Sequence, residues 1–489
     1  MKPKRAQAKA FRHSHRSERK QHGPIRPAAS LPIINRHAGG IDVGATEHWV
    51  CLPEDSVPQG QANVRSFGAF SAQLDQLVEW LLACAIQTVA LESTGVYWIP
   101  LVQKLEAAGI EVVLVNARHL KYVPGRKSDV RDCQWLQQLH SYGLLNGSFR
   151  PTQDICELRS YLRHRHNLIE GAGREVQHMQ KALQQMNVHL HHAVSDLVGA
   201  TGLRILDAVL AGERDPKVLV ELRDDALCTK STKAELEKAL AGDWREEHLF
   251  ALRQALETHR HLLKQVTECD EQIKKIITQL EPPEQVAPEV IPPNPKAVDP
   301  GQAKRKKKRF HRNKTGASFK LDLTQELKRL CGVDLTQILG LSVLSVLTII
   351  SEIGLDMSRW RNAKAFCAWL GLCPRNKISG GKVLDSRTAH VVNRVSILLK
   401  ILAPSIGKTD TWLGVFHRRM RARLGPAGAN TATARKVACL IYHLLRYRED
   451  YIIVDHLVFT EKIRDQRIKR LRKQAAELGM QLTEVKQAA

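Results

Sequence analysis

An acid set inside an apolar strand is the feature that most narrows the folds open to this chain. In Gly40-Ile41-Asp42-Val43-Gly44 the neighbours of Asp42 are those of a buried strand. Burying a carboxylate there costs several kcal/mol unless it is paired or bound to a metal. The surrounding pattern is α/β. Residues 39–43 read as a short buried strand, with 48–52 and 63–67 as its hairpin partners. Residues 71–84 are apolar at Leu74, Leu77, Val78, Leu81 and Leu82, the spacing of a helix with one buried face. A second buried strand follows at 88–92, a helix at 97–108 stopped by Gly109, and a third buried strand at 111–115. A further helix begins near Ser128 and closes the unit. Three strands followed by strand–helix alternation predict a mixed sheet flanked by helices.

Three more acids fall at telling places in this unit. Glu92 ends the apolar strand TVALE just before Ser93-Thr94-Gly95, and Asp129 and Asp132 lie three apart on the helix that starts near Ser128. Residues three apart project from one helical face. Each has a plain structural alternative: Asp129 in a helix's first turn is favoured by the dipole, and Glu92 can simply end a strand. Taken together and in this order, they predict an oxygen-lined site of the kind hard divalent ions require.

The charge is lopsided. The chain carries 74 Lys and Arg against 50 Asp and Glu, a formal net charge of +24. Residues 1–26 contribute +8, residues 304–314 (KRKKKRFHRNK) another +8, and residues 462–473 a further +6. Arms of this kind grip phosphate, so a polyanionic partner is expected, and Lys304, Arg305, Lys306, Lys307, Lys308 and Arg309 are candidate nucleic-acid contacts. No run of about eighteen apolar residues occurs, so no spanning helix and no membrane role are expected. The ten cysteines include no CxxC pair and complete no zinc signature, and they read as reduced thiols of a cytoplasmic protein.

Beyond the α/β unit the pattern becomes helical. Val176, Met179, Leu183, Met186 and Leu190 step by threes and fours, as do Leu262, Val266, Cys269, Ile273, Ile276 and Leu280. These heptad spacings predict coiled-coil arms that pair with each other or with another protomer, a core-packed helical hairpin being the alternative. Prolines crowd residues 282–300, so 281–316 reads as a linker leading into the basic run. A second, mainly α-helical region follows, and the tail from residue 461 reads as a basic helix or as disorder. The divisions expected are 1–36 (basic arm), 37–155 (α/β unit), 156–281 (arms), 282–320 (linker), 321–458 (helical region) and 459–489 (basic tail).

The motifs GIDVG, LESTGVYW and KSDVRDCQWL resemble the RNase H/RuvC-like domain of the DEDD-type insertion-sequence transposases, known as bridge-RNA-guided recombinases. The resemblance continues through Gln337-Ile338-Leu339-Gly340, Ile353-Gly354, Trp360 and Ala365-Phe366-Cys367-Ala368-Trp369-Leu370-Gly371-Leu372, which look like that family's C-terminal transposase domain. Ser379-Gly380-Gly381-Lys382 resembles the motif of its serine nucleophile. By this resemblance Asp42, Glu92, Asp129 and Asp132 are implied to coordinate Mg²⁺, two ions with Mn²⁺ as a substitute. Ser379 is implied to attack a DNA phosphodiester and become covalently linked to it. Also implied are a guide RNA that selects DNA by base pairing, a homodimer or homotetramer, and a cytoplasmic protein associated with the nucleoid.

Arg375, Lys377, Lys382 and Arg387 are candidates to clamp phosphate around the serine, with Ser386 as the alternative nucleophile. Ser-Gly-Gly is also ordinary turn chemistry, since glycine supplies unusual backbone angles. Residues 334–354 resemble a helix–hairpin–helix, with Gly340-Leu341-Ser342 where Gly-x-Gly is usual. His164, His166 and the run 189–192 lack a Cys or acid partner at metal-ligand spacing and read as surface residues. Two rival functions fit the composition: a RuvC-like structure-specific endonuclease in which water attacks, and a non-catalytic nucleic-acid-binding scaffold.

Overall fold

The computed structural model describes residues 32–93, 95–116, 128–224, 230–282, 319, 321–388, 393–448, 456–481 and 483. The chain divides into two compact units, residues 1–150 and 151–489. The N-terminal basic arm, the Pro-rich linker and the run at 304–314 lie outside the described residues.

The first unit is a five-stranded mixed sheet. Its strands are β1 (Ala38–Val43), β2 (Glu47–Cys51), β3 (Val64–Gly68), β4 (Thr88–Glu92) and β5 (Glu111–Val115). They lie in the order β3-β2-β1-β4-β5. β1, β2 and β3 pair antiparallel, whereas β1–β4 and β4–β5 are parallel. Expectation and structure agree within one residue at each strand, and the topology is consistent with a RuvC-like fold. The alternation of side chains decides what covers each face. Ile41, Val43, Val89 and Leu91 pack against α1 (Ser71–Ala83) and α2 (Trp98–Ala107) in one core with Leu74, Leu77, Leu81, Leu101 and Leu105. The opposite face carries α3 (Asp129–Ser141), whose N-cap Ser128 accepts a hydrogen bond from the Arg131 amide.

The second unit is built on two long helices, α4 (Gln153–Gln185) and α9 (Glu246–Gln279), which pack against each other. Between them run α5 (Leu190–Ala193), α6 (Ala200–Leu210), α7 (Pro216–Val220) and α8 (Lys233–Leu240). Of the two expectations for this stretch, the structure shows the core-packed helical hairpin. Met179, Leu183, Met186 and Leu190 face α9 at Leu249, Leu252, Ala255 and Leu256, and Ile205, Leu206, Leu219, Leu236 and Leu240 of the short helices complete the same globular core. Lower down, Leu168 and Ile169 meet Leu262, Val266 and Cys269, so this stretch of the heptad spacing is satisfied within the chain. The seam also holds a buried ion pair. Arg165 (1% exposed) donates to both carboxylate oxygens of Asp270 (5% exposed).

The rest of this unit comprises α10 (Thr324–Cys331), α11 (Val343–Ile353), α12 (Ala363–Trp369), a hairpin of β6 (Lys377–Ser379) and β7 (Lys382–Asp385), α13 (Arg394–Gly407), α14 (Trp412–Tyr447) and α15 (His456–Glu477). Ser342 caps α11, and Gly340 before it adopts φ +96°. Arg159 of α4 donates to the Ser351 and Glu352 carbonyls at the end of α11 (2.9 and 3.2 Å), supplying partners to orphan carbonyls. Trp360, Phe366, Trp369 and Tyr442 cluster, and the Tyr442 hydroxyl donates to the Trp360 carbonyl at 2.8 Å. α14 kinks at Gly425 (φ 73°), just before Pro426. The basic tail is helical in α15, and no described helix is long and apolar enough to cross a membrane.

Removing one partner of a buried ion pair strands the other charge. Asp270→Ala is expected to cost about 3–5 kcal/mol in urea unfolding, and Arg165→Met combined with Asp270→Leu to recover most of it. A single-variant loss below about 1 kcal/mol, the range of exposed pairs, would contradict the burial described.

Candidate active site

Register sets the two strand acids side by side. β1 and β4 run parallel with Gly40 opposite Ala90 and Ile41 opposite Leu91, the last pair of the ladder, and the same register carried one residue further brings Asp42 level with Glu92. Adjacent strands lie about 4.8 Å apart, and residues at matching positions share a face. That face is the one under α3. Thr88, four residues before Glu92 and on the same face, has its Oγ1 2.9 Å from His140 Nε2 of α3, and the Gln137 side chain donates to the Ala38 carbonyl.

Gly40 is what lets α3 lie so close. A Cβ built on Gly40 would fall 2.2 Å from the Gln137 nitrogen and 2.4 Å from the Cys133 carbonyl oxygen. Glycine is the residue that admits such a backbone approach. The contacts also fix direction: Cys133 lies near Gly40, and His140 near Thr88, so α3 runs antiparallel to β1 and β4. Its first turn, with Asp129 and Asp132, therefore stands at the sheet end where Asp42 and Glu92 stand. The charge of Asp42 reaches Cys133, helping to push that thiol up well beyond its ordinary value, behind the larger effects of its hydrogen bond with Cys51 and of burial. Asp42, Glu92 and Asp132 are half-buried and Asp129 is exposed.

Ser379 ends β6 and pairs with Lys382 of β7 across Gly380-Gly381, a two-residue turn in which both glycines have positive φ (55° and 74°). Two positive φ values fit the tight reversal of a hairpin, which only glycine, Asn or Asp adopts readily. Ser379 is exposed, as are Arg375, Lys377, Lys382, Ser386 and Arg387. The Arg375 amide donates to the Arg387 carbonyl at 2.9 Å, joining the base of the hairpin. Arg387 has its Nε 3.9 Å from Asp385, too loose a pair to hold it. The structure thus gathers the four candidate cations and both candidate serines on one small hairpin and its stem.

Comparison with known protein families places a transposase model on residues 39–188 and a model of the transposase IS116/IS110/IS902 family on residues 334–396. The first begins within β1 and carries the acids; the second carries the hairpin. The chain belongs to the IS110 family of DEDD transposases. No curated protein matches it. As a transposase it acts on DNA by phosphoryl transfer.

The donor chemistry of the transposase site fits a hard divalent ion, since carboxylate oxygens are the ligands such ions take. Asp42 and Glu92 stand on adjacent parallel strands, with the acids of α3 at the same end of the sheet. Among the described residues no three acids, histidines or cysteines already stand close enough to hold one ion.

His164, His166 and His192 are exposed as expected, whereas His189 and His191 are half-buried; the rings of 189, 191 and 192 lie 4.1–6.5 Å apart, and among the described residues no histidine joins a metal-holding group. Scattered in sequence, the thiols pair in space: Cys367 and Cys439 lie 3.5 Å apart, and Cys51 bonds Cys133. The hydrogen bond from Cys367 holds Cys439 down at about 6. Sequence reasoning missed these pairs, and it missed the role of Gly40, for which a glycine facing away from the core next to an acidic strand position was the available signal.

Gly40→Ala is expected to force α3 off the sheet and to cost about 3 kcal/mol in denaturant unfolding. A change within about 0.5 kcal/mol would show that α3 does not rest on β1 as described.

Proposed function

We propose that the transposase mobilises an insertion sequence by strand cleavage and exchange through a phosphoserine link at Ser379. In this reading Asp42, Glu92, Asp129 and Asp132 hold Mg²⁺, two ions with Mn²⁺ able to substitute, and a bridge RNA selects donor and target DNA by pairing. The working form is a homodimer or homotetramer on the nucleoid.

The observation that carries the reading is the register that seats Asp42 beside Glu92 under a helix beginning with Asp129 and Asp132. Carboxylates so placed bind cations and repel the DNA backbone when no cation is there. A serine hydroxyl attacks slowly unless the loss of its proton is made easier. When bound, divalent ions supply that help and stabilise the departing oxygen. Ser379 Oγ forms a bond to phosphorus as the bond from phosphorus to a sugar oxygen breaks. The serine proton leaves and the sugar oxygen gains one. Attack by the hydroxyl of another strand then restores the serine. Arg375, Lys377, Lys382 and Arg387 place positive charge around that phosphate, and the runs at 304–314 and in α15 add affinity without sequence readout. Base pairing by an RNA would supply the sequence information that phosphate contacts do not.

The test is a junction DNA carrying the element's own ends, labelled and resolved under denaturing conditions with the full chain and its flanking transcript. A protein–DNA covalent species is expected with wild type and absent with Ser379→Ala. Asp132→Asn is expected to lower its yield at least about a hundredfold, more than loss of an outer-shell partner does. Cleavage with no covalent species would assign attack to water, as in a structure-specific endonuclease. An adduct that survives Ser379→Ala and vanishes in Ser386→Ala would move the nucleophile. Full recombination by Asp42→Ala would reduce the α/β unit to a scaffold.

A further inference from the structure

A cavity of about 560 Å³ lies at the root of the β6–β7 hairpin, walled by Leu372, Pro374 and Leu424 and by the helical face of Ala427, Thr431 and Arg435. The size is that of a pocket for a small molecule, in the range of about 300–1,000 Å³. The hairpin closes one side through its stem, where Pro374 bridges Thr388. On the other side α14 presents its second half, beginning after the kink at Gly425.

Two features of the walls point to the ligand. Arg435 keeps its Nε buried with no hydrogen-bond partner. Its guanidinium lines the cavity, where the positive charge favours an anionic oxygen. Arg387, nearly fully exposed at 92%, stands at the same cavity with only a loose ion pair to occupy it. The remaining lining is largely apolar, from Leu372, Pro374, Leu424 and Ala427, with a few hydroxyls. Guanidinium for an anion beside an apolar wall of this volume is the chemistry that takes one nucleotide, phosphate at one end and base at the other. The wall offers few donors and acceptors that could read a base edge, so any base would be accepted.

We propose that this cavity seats a single unpaired nucleotide of the DNA strand that the hairpin serine attacks, with its phosphate on Arg435 and Arg387 and its base against Leu372, Pro374 and Leu424. The choice of strand rests on the reading of Ser379 given above; the cavity's chemistry does not. Seating the neighbour of the reacting phosphate would fix that phosphate against a hairpin otherwise exposed along its length.

The experiment uses the full chain and a labelled 20-nucleotide single-stranded DNA of arbitrary sequence, at about 0.3 M salt so that contacts of the basic arms are screened. Ala427 is exposed, so Ala427→Trp fills the cavity from the solvent side without disturbing the core. Ala427→Trp and Arg435→Gln are each expected to weaken binding at least about tenfold with unchanged thermal midpoints. Ser379→Ala is expected to bind as wild type does, which keeps this result separate from the covalent-species test: an adduct persisting in Ser379→Ala sinks the serine reading and leaves the binding comparison intact. In a second measurement, 5-iodouracil in the same strand should cross-link to residues 424–435 in wild type and not in Ala427→Trp. Affinity unchanged in both variants, or a cross-link absent from that segment in wild type, overturns the proposal. An equal or larger loss with an RNA of the same sequence also overturns it, by assigning the cavity to RNA.

Discussion

The close approach of a helix to a bare strand is what the α/β unit of this transposase depends on. Because residue 40 has no side chain, the backbone of α3 settles directly onto β1, with Cys133 and Gln137 against Gly40. From that contact follow the direction of the helix, the end of the sheet at which its first turn stands, and hence which acids become neighbours. Parallel pairing of β1 with β4 supplies the other half of the arrangement, since it puts Asp42 and Glu92 at equal height on one face. A sheet and a helix, each rigid in itself, can hold carboxylates against their mutual repulsion far better than loops can.

Charge is distributed as this chemistry requires. Acids are gathered at one end of the α/β sheet, while the cations around Ser379 sit on a hairpin whose side chains are all exposed or half-buried. The long helices α4 and α9 take no visible part in this. Their work is mechanical: an ion pair and an apolar seam stiffen them, and Arg159 and Arg163 of α4 tie them to Glu352 at the end of α11.

Much of the α/β unit was legible in the sequence because its strands are short apolar runs ended by glycine or by acids, and such runs have few alternatives. Ser128 followed by Asp129 announced the start of α3 through its cap and first-turn acid. The helical region was harder. A heptad spacing says that side chains are buried but not against what, and Met179 through Leu190 are buried by three short helices together with Leu249, Leu252, Ala255 and Leu256 of α9. Arg165 and Asp270, 105 positions apart in polar helices, look like surface charges until the helices pair. The thiol pairs are hidden for the same reason. At the site, residue types were readable, whereas the register that unites Asp42 with Glu92 and the reach of Asp129 and Asp132 are properties of the fold alone.

The central claim is that carboxylates from two strands and one helix share a divalent ion. Titration of the full chain with Mn²⁺, with bound ion counted by electron paramagnetic resonance, tests it without reference to activity. Wild type is predicted to bind Mn²⁺, with Asp42→Asn and Glu92→Gln each weakening the same site at least about tenfold and Asp132→Asn doing likewise. Equal Mn²⁺ affinity in wild type and all three variants would contradict the account.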